Sequence, residues 1–292
     1  LEKDVFISNN LSLGLEEAVT VNTQIILENS LETNFKAVEI INEFTDPNAE
    51  HILGFVNKIL ENLPVVIPDL TISSNAAMNE TPGIKFESVT LTPESNVLLY
   101  IGSKILEHSN SLKQLFVPLN KNGFILTRED ISFRLEKDII EADVLTDYVT
   151  TNERIILLRK KVVENVKPKF VEVSSSSFDW LPEVQNALSL RNDVTVYATN
   201  RDPEGILGLV NCIRRETNGN LVKCYFMMDD APKFDPQHSF YSKQLSKNLA
   251  VNIYKDKSWG TYRHLLLEET PKVNSEHSYA YFKSRGDISS FE

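Results

Sequence analysis

Five histidines, at 51, 108, 238, 264 and 277, are scattered singly along the chain. None has the spacing to a cysteine or aspartate that a metal site needs, so they read as surface or strand positions. Ser103 and the serine run at 174–177 lack the strand–turn–helix elbow that exposes a nucleophile, and the run reads as a solvated linker. Arg214, Arg215 and Glu216 could hold an anion, but charges on the exposed, negative end of a helix are the plainer reading. Gly205 and Gly208 form no phosphate loop and read as permitting close helix–sheet packing. The informative place is the loop 41–46 (INEFTD), which follows the first strand of a strand–helix–strand unit. Such units take ligands at the carboxyl end of that strand, where glycines let the backbone approach. This loop contains no glycine.

The elements that must position these residues alternate in type. Residues 15–29 (LEEAVTVNTQIILEN) repeat apolar side chains at helical spacing and place Glu16 and Glu17 in the first turn, which predicts a helix. Residues 35–41 and 65–73 read as strands flanking an amphipathic helix at 51–63, a β-α-β unit and therefore a parallel sheet. A buried strand at 97–102, a helix at 105–119 and a strand at 123–128 continue the alternation. A hairpin at 147–160, turning around Thr150–Glu153, closes the sheet. A boundary is expected near Lys167, where Pro168 and the serines mark a shift, although 170–173 can itself form a strand. Beyond it come a helix at 182–190, a strand at 193–199 and a helix at 202–216 opened by Asp202 and Pro203. Then follow a strand at 221–228, a helix at 239–248, a hairpin over 251–269 bent at 255–260, and a strand at 278–283. This second α/β unit is short for a complete nucleotide-binding domain.

With 292 residues the chain exceeds what one core comfortably fills, in line with two units. Its 41% hydrophobic and 24% charged residues are ordinary globular usage. A net charge of -11 repels phosphates and anionic headgroups, so neither nucleic acid nor a membrane is expected as a partner. Cys212 and Cys224 fall on the apolar sides of a helix and a strand and make no disulfide framework, which points to a reducing cytoplasm. No apolar run approaches the roughly 20 residues of a membrane span. The start, Leu1-Glu2-Lys3-Asp4, has neither a signal peptide's pattern nor an initiating Met, so a piece of a longer chain is expected. The sequons at Asn10 and Asn79 read as chance matches.

Setting Glu39 against the acidic residue that ends the first strand of class I methyltransferases places Ile41 and Glu43 where that family carries glycines. Side chains there would fill the space of the cofactor's methionine and ribose. The second strand ends in Ser73, Ser74 and Asn75 where a ribose-binding acid is usual. Yet 96–129 resembles methyltransferases closely, with a buried strand, a helix and then LFVPLNKNGFIL at 115–126. That resemblance implies a surviving scaffold without its site. Tyr100 and Lys104 match the Tyr-x-x-x-Lys spacing of short-chain dehydrogenases, but in that family the pair sits on a helix behind a cofactor fingerprint that is absent here.

Residues 205–216 (GILGLVNCIRRE) resemble the helix of the truncated ketoreductase-like unit that precedes the enoyl reductase in animal fatty acid synthases. Residues 251–269 (VNIYKDKSWGTYRHLLLEE) are similar to the hairpin that follows it, and 285–290 to the join into the enoyl reductase. Leu1, Glu2 and Lys3 with Val5 and Phe6 are similar to the dehydratase exit. The chain thus resembles the central non-catalytic segment of an animal-type fatty acid synthase, and its short methyltransferase-like part suits an invertebrate one. The resemblance implies a linker over 1–14, an inactive class I methyltransferase-like domain over 15–167, and a truncated short-chain-dehydrogenase-like ketoreductase domain over 168–292. The implied fold is α/β with two Rossmann-like units, and no catalytic, cofactor-binding or metal-binding residues are expected. The multienzyme so implied is a homodimer using NADPH and phosphopantetheine, while the segment alone is expected to be monomeric. Its implied partners are the catalytic ketoreductase, enoyl reductase and dehydratase of the same chain. The alternative is an S-adenosylmethionine-dependent C-methyltransferase acting on carrier-tethered acyl chains, as in related polyketide synthases. A docking role for the acidic carrier protein is disfavoured by the net charge of -11.

Overall fold

A computed structural model of the chain describes residues 14–261 except 31–33, 47–49, 64, 75–81, 89, 91, 108, 135–140, 162–167, 175 and 199–204. The boundary near Lys167, the helix start at Asp202, Asn75, both sequons, His108, His264, His277 and the strand at 278–283 lie outside the described residues.

The first sheet grows from β1 (Asn34–Ile40), β2 (Ile67–Ser73), β3 (Ile84–Glu87), β4 (Val97–Ser103), β5 (Leu119–Asp130), β6 (Ala142–Val149) and β7 (Glu153–Lys160). Their order is β3-β2-β1-β4-β5-β7-β6. β1 to β5 are parallel, and β7 runs antiparallel to both of its neighbours. The chain therefore winds outward in two directions from β1 and β4, the doubly wound α/β order expected of the methyltransferase-like unit. Every residue of β4 is buried, because helices cover both faces of a central parallel strand. α1 (Leu15–Ser30) and α2 (Ile52–Leu60) pack Val19, Ile26, Leu53 and Val56 against Phe35, Leu99 and Phe124. On the other face α3 (Ser109–Phe116) packs Leu112 and Leu115 against Tyr100 and Ile125.

Two differences from the sequence reading have local causes. The helix predicted from residue 105 begins at Ser109, because 105–107 form a turn whose amides are taken by β5. There Ile105 N donates to Thr127 Oγ1 at 3.3 Å and Leu106 N to Glu129 Oε1 at 2.9 Å. The additional strand β3 pairs only with β2, and four residues alternating buried Ile84 with exposed Lys85 carry little sequence signal.

The second sheet contains β8 (Lys169–Glu172), β9 (Val194–Ala198), β10 (Val222–Met227), β11 (Val251–Lys255) and β12 (Ser258–Gly260) in the order β12-β11-β10-β9-β8. β8 to β11 are parallel and β12 turns back against β11. α4 (Leu181–Ser189) and α5 (Ile206–Ile213) cover the face of Val196, Cys224 and Phe226. α6 (Ser239–Leu245) sets Tyr241 against Tyr225 and Met227 on the other face. Strand order here advances one way only, so this sheet has no reversal at which a crevice opens. Both sheets belong to one compact unit that ends at Gly260. Cys212, expected on the apolar side of α5, is exposed, whereas Cys224 is buried and its thiol pKa is pushed up to about 12 by burial.

Candidate functional site

In a doubly wound sheet the ligand crevice lies beyond the carboxyl ends of the two strands at which the order reverses, here β1 and β4. Glu39, one residue before the end of β1, has a side chain only 5% exposed. Its Oε1 accepts the amide of Ile52 at 3.1 Å and its Oε2 that of Leu53 at 2.9 Å. These are the first amides of α2, donors that a helix leaves unpaired and that usually attract an anion. His51 precedes the helix without capping it through its own side chain. Its Nδ1 stands 3.8 Å from Glu39 Oε1, and the adjacent Glu39 carboxylate raises the imidazole pKa against burial and the nearby Arg128.

Asn42 closes the loop beyond β1. Its Oδ1 accepts Phe44 N and Thr45 Oγ1, each at 3.0 Å, while its Nδ2 reaches the carbonyl of Ser103 at the end of β4, also at 3.0 Å. Ile41 donates its amide to Ser73 O at 3.0 Å and packs its side chain on the core. Glu43, expected to fill the ligand's space, is exposed instead, so the loop is tied down by Asn42 between the two positions. Ser73 ends β2 and Ser74 follows it half-buried, leaving no acid there among the described residues.

The end of β5 is organised similarly. Glu129, 2% exposed, accepts Thr127 Oγ1 at 2.5 Å as well as the Leu106 amide, and burial raises its carboxyl pKa. Arg128 makes a bidentate pair with Glu153 of β7 at 2.6 and 2.8 Å, and donates from Nη1 to Glu50 O at 2.9 Å. These donors are thus engaged by the chain's own carboxylates, amide and carbonyls.

Other chemistry-bearing residues are not brought together. Tyr100 lies inside β4, fully buried, with its hydroxyl pKa raised by that burial. Lys104 follows in a turn at φ 54°, so the two do not share a helix face. His238 caps α6 by accepting Phe240 N at 3.2 Å. Among the described residues no three His, Cys, Asp or Glu side chains group as metal ligands, and no helix is long and apolar enough to cross a membrane. A cavity of about 300 Å³ at the end of β10 is lined by Met227, Asp229, Lys233 and Tyr241 among others.

Two glycine and arginine readings change. A Cβ placed on Gly208 would meet nothing within 4 Å, so no close packing requires it, and Gly205 is needed for its φ of +74° at the start of α5. Arg215 is exposed, whereas Arg214, read as an exposed helix-end charge, is 8% exposed and bridges β10 to α1 of the first half. Its guanidinium donates to Val222 O and, at 2.9 Å, to Glu28 O in the last turn of α1. Sequence reasoning missed this role because a carbonyl acceptor carries no residue signature.

Residues 177–267 match a family model described as the pseudo-KR domain of fatty acid synthase. Among solved structures, Haemonchus contortus phosphoethanolamine N-methyltransferase 2 in complex with S-adenosyl-L-methionine aligns at 10% identity and a TM-score of 0.29, over 82% of this chain and 75% of that one. A putative ribosomal RNA methyltransferase from Plasmodium falciparum aligns at 13% identity and 0.28, over 51% of this chain and 98% of its own.

Proposed function

We propose that this chain is a non-catalytic structural segment of a multifunctional, animal-type fatty acid synthase, acting in the cytoplasm to support the ketoreductase and the architecture around it. The observation that carries this reading is the pseudo-KR match over 177–267. It falls on the sheet whose strand order never reverses, so this half lacks the topological switch point at which doubly wound sheets take their ligands. The residues at the crevice of the first sheet do not fit S-adenosylmethionine. Glu39 takes the α2 amides that would meet a ligand carboxylate, and Asn42 pins the loop that glycines would keep open. The catalytic ketoreductase, enoyl reductase and dehydratase of the same multienzyme are the proposed partners, and NADPH and phosphopantetheine are cofactors of that multienzyme outside this segment.

The test is to add the catalytic ketoreductase domain in trans. A shared peak on gel filtration and a raised Tm are expected, and no change in either would overturn the scaffold role. Calorimetry with S-adenosylmethionine should give no heat of binding. Micromolar affinity would instead establish a cofactor site.

A further inference from the structure

We infer that the two sheets are locked into one cooperative body by a reciprocal exchange of buried arginines. Arg159 of β7, 3% exposed, crosses to the second sheet's side and donates from Nη1 to the carbonyls of Lys247, at 3.1 Å, and of Asn248. Those carbonyls lie in the turn just after α6, where a helix ends with acceptors it cannot satisfy itself and with its dipole negative. Arg159 also lies over the Phe124 ring at 5.4 Å and faces Asp143 in the β6–β7 pairing. Arg214, just past α5, returns the exchange to Glu28 O in the last turn of α1. A fourth bond runs from Ala250 N to Asn29 Oδ1 at 2.8 Å, immediately before β11.

Each half therefore supplies a guanidinium to the carbonyls of a helix end in the other. At this depth a guanidinium stripped of its acceptors is strongly penalised, so neither half can slide on the other while the joint stays dry without stranding two cations and several carbonyls. The consequence is a rigid joint that transmits position from one sheet to the other. It holds whether or not the chain serves a synthase.

The two tryptophans of the chain, Trp180 and Trp259, both belong to the second half, so their fluorescence reports that half alone, whereas far-UV circular dichroism reports both. In the wild-type chain the two signals should melt together, as coincident probes do for a single cooperative unit. In R159M/R214M the two midpoints should part by at least about 4 °C. Coincident melting in that variant, or separate melting in the wild type, would overturn the inference. Should the double variant not fold, hydrogen exchange on the wild-type chain decides. The slowest amides of β4 and β10 should be protected alike, and protection differing by more than about tenfold would refute the joint.

Discussion

Replacing Glu39 with alanine deletes a carboxylate that holds two backbone donors of α2 from a position 5% exposed. A hydrogen bond to a charged acceptor contributes about 1.5–3 kcal/mol, and loss of a helix cap costs about 0.5–2 kcal/mol. Water reaches this position poorly, so the amides of Ile52 and Leu53, both buried, would stay unpaired. Removal of the carboxylate's own burial cost offsets part of this, and a net loss of about 2–4 kcal/mol is expected. For a chain of this size that lowers Tm by roughly 5–15 °C. Glu39→Gln keeps one oxygen acceptor and should lose about half as much. Urea titration and thermal melting at pH 6 and pH 8 give the comparison. The folded His51 has a pKa above its ordinary 6.5, so its contribution is complete below about 6.5 and fades as pH rises through the raised value. Glu39→Ala should abolish that slope, whereas His51→Gln should abolish it and leave α2 intact. A Glu39→Ala chain within about 0.5 kcal/mol of wild type would refute the capping argument.

Glu129→Gln reverses the usual carboxylate effect. Its folded pKa is raised, so the ionised form weakens the fold progressively as pH climbs above the unfolded value, and the variant should lose stability less steeply between pH 5 and pH 8 in denaturant titrations. Gly208→Ala should stabilise the chain by about 0.5–1 kcal/mol, since the site has open space within a helix. Gly205→Ala should instead destabilise by at least about 1 kcal/mol because of its positive φ, and the two melting curves should move in opposite directions. Asn42→Ala frees the loop after β1 from Ser103 and should cost about 1–2 kcal/mol, with faster hydrogen exchange confined to Asn42–Thr45 and the end of β4.

The alternation of apolar strands with amphipathic helices was legible because each element's pattern is local. β1, α2, β2, β4 and the hairpin of β6 and β7 fall within a few residues of their sequence positions. The hairpin at β11 and β12 turns at Asp256 and Lys257, inside the predicted bend. What escaped was set by partners far along the chain. Glu39 looked like a remnant of a cofactor site, yet its acceptors face helix amides 13 and 14 residues away. The reach of Arg214 to Glu28 spans 186 residues, and Arg159 to Asn248 spans 89. No sequence pattern marks a backbone carbonyl as an acceptor, so a buried arginine at a helix end is indistinguishable from a solvated one until the second sheet is in place. Gly208 was misread for the related reason that a glycine's neighbours, unlike its φ, depend on packing.

A parallel sheet that winds outward in two directions leaves a row of backbone donors at its switch point whether or not a ligand comes to meet them. An empty crevice of that kind is unstable, because the first amides of a helix and the turn after a strand must find acceptors or water. In this chain the acceptors are internal. Glu39 serves α2, Glu129 serves the turn before α3, and Asn42 bridges the loop after β1 to the end of β4. A loop without glycines would by itself leave those donors unsatisfied. Carboxylates turned inward satisfy them and make this end of the sheet one of the fold's fixed points. Rigidity at the switch point and rigidity at the arginine joint then act together, one within the first sheet and one between the sheets. Opening at either place therefore has to break several buried hydrogen bonds at once, which puts both among the last parts of the fold to exchange.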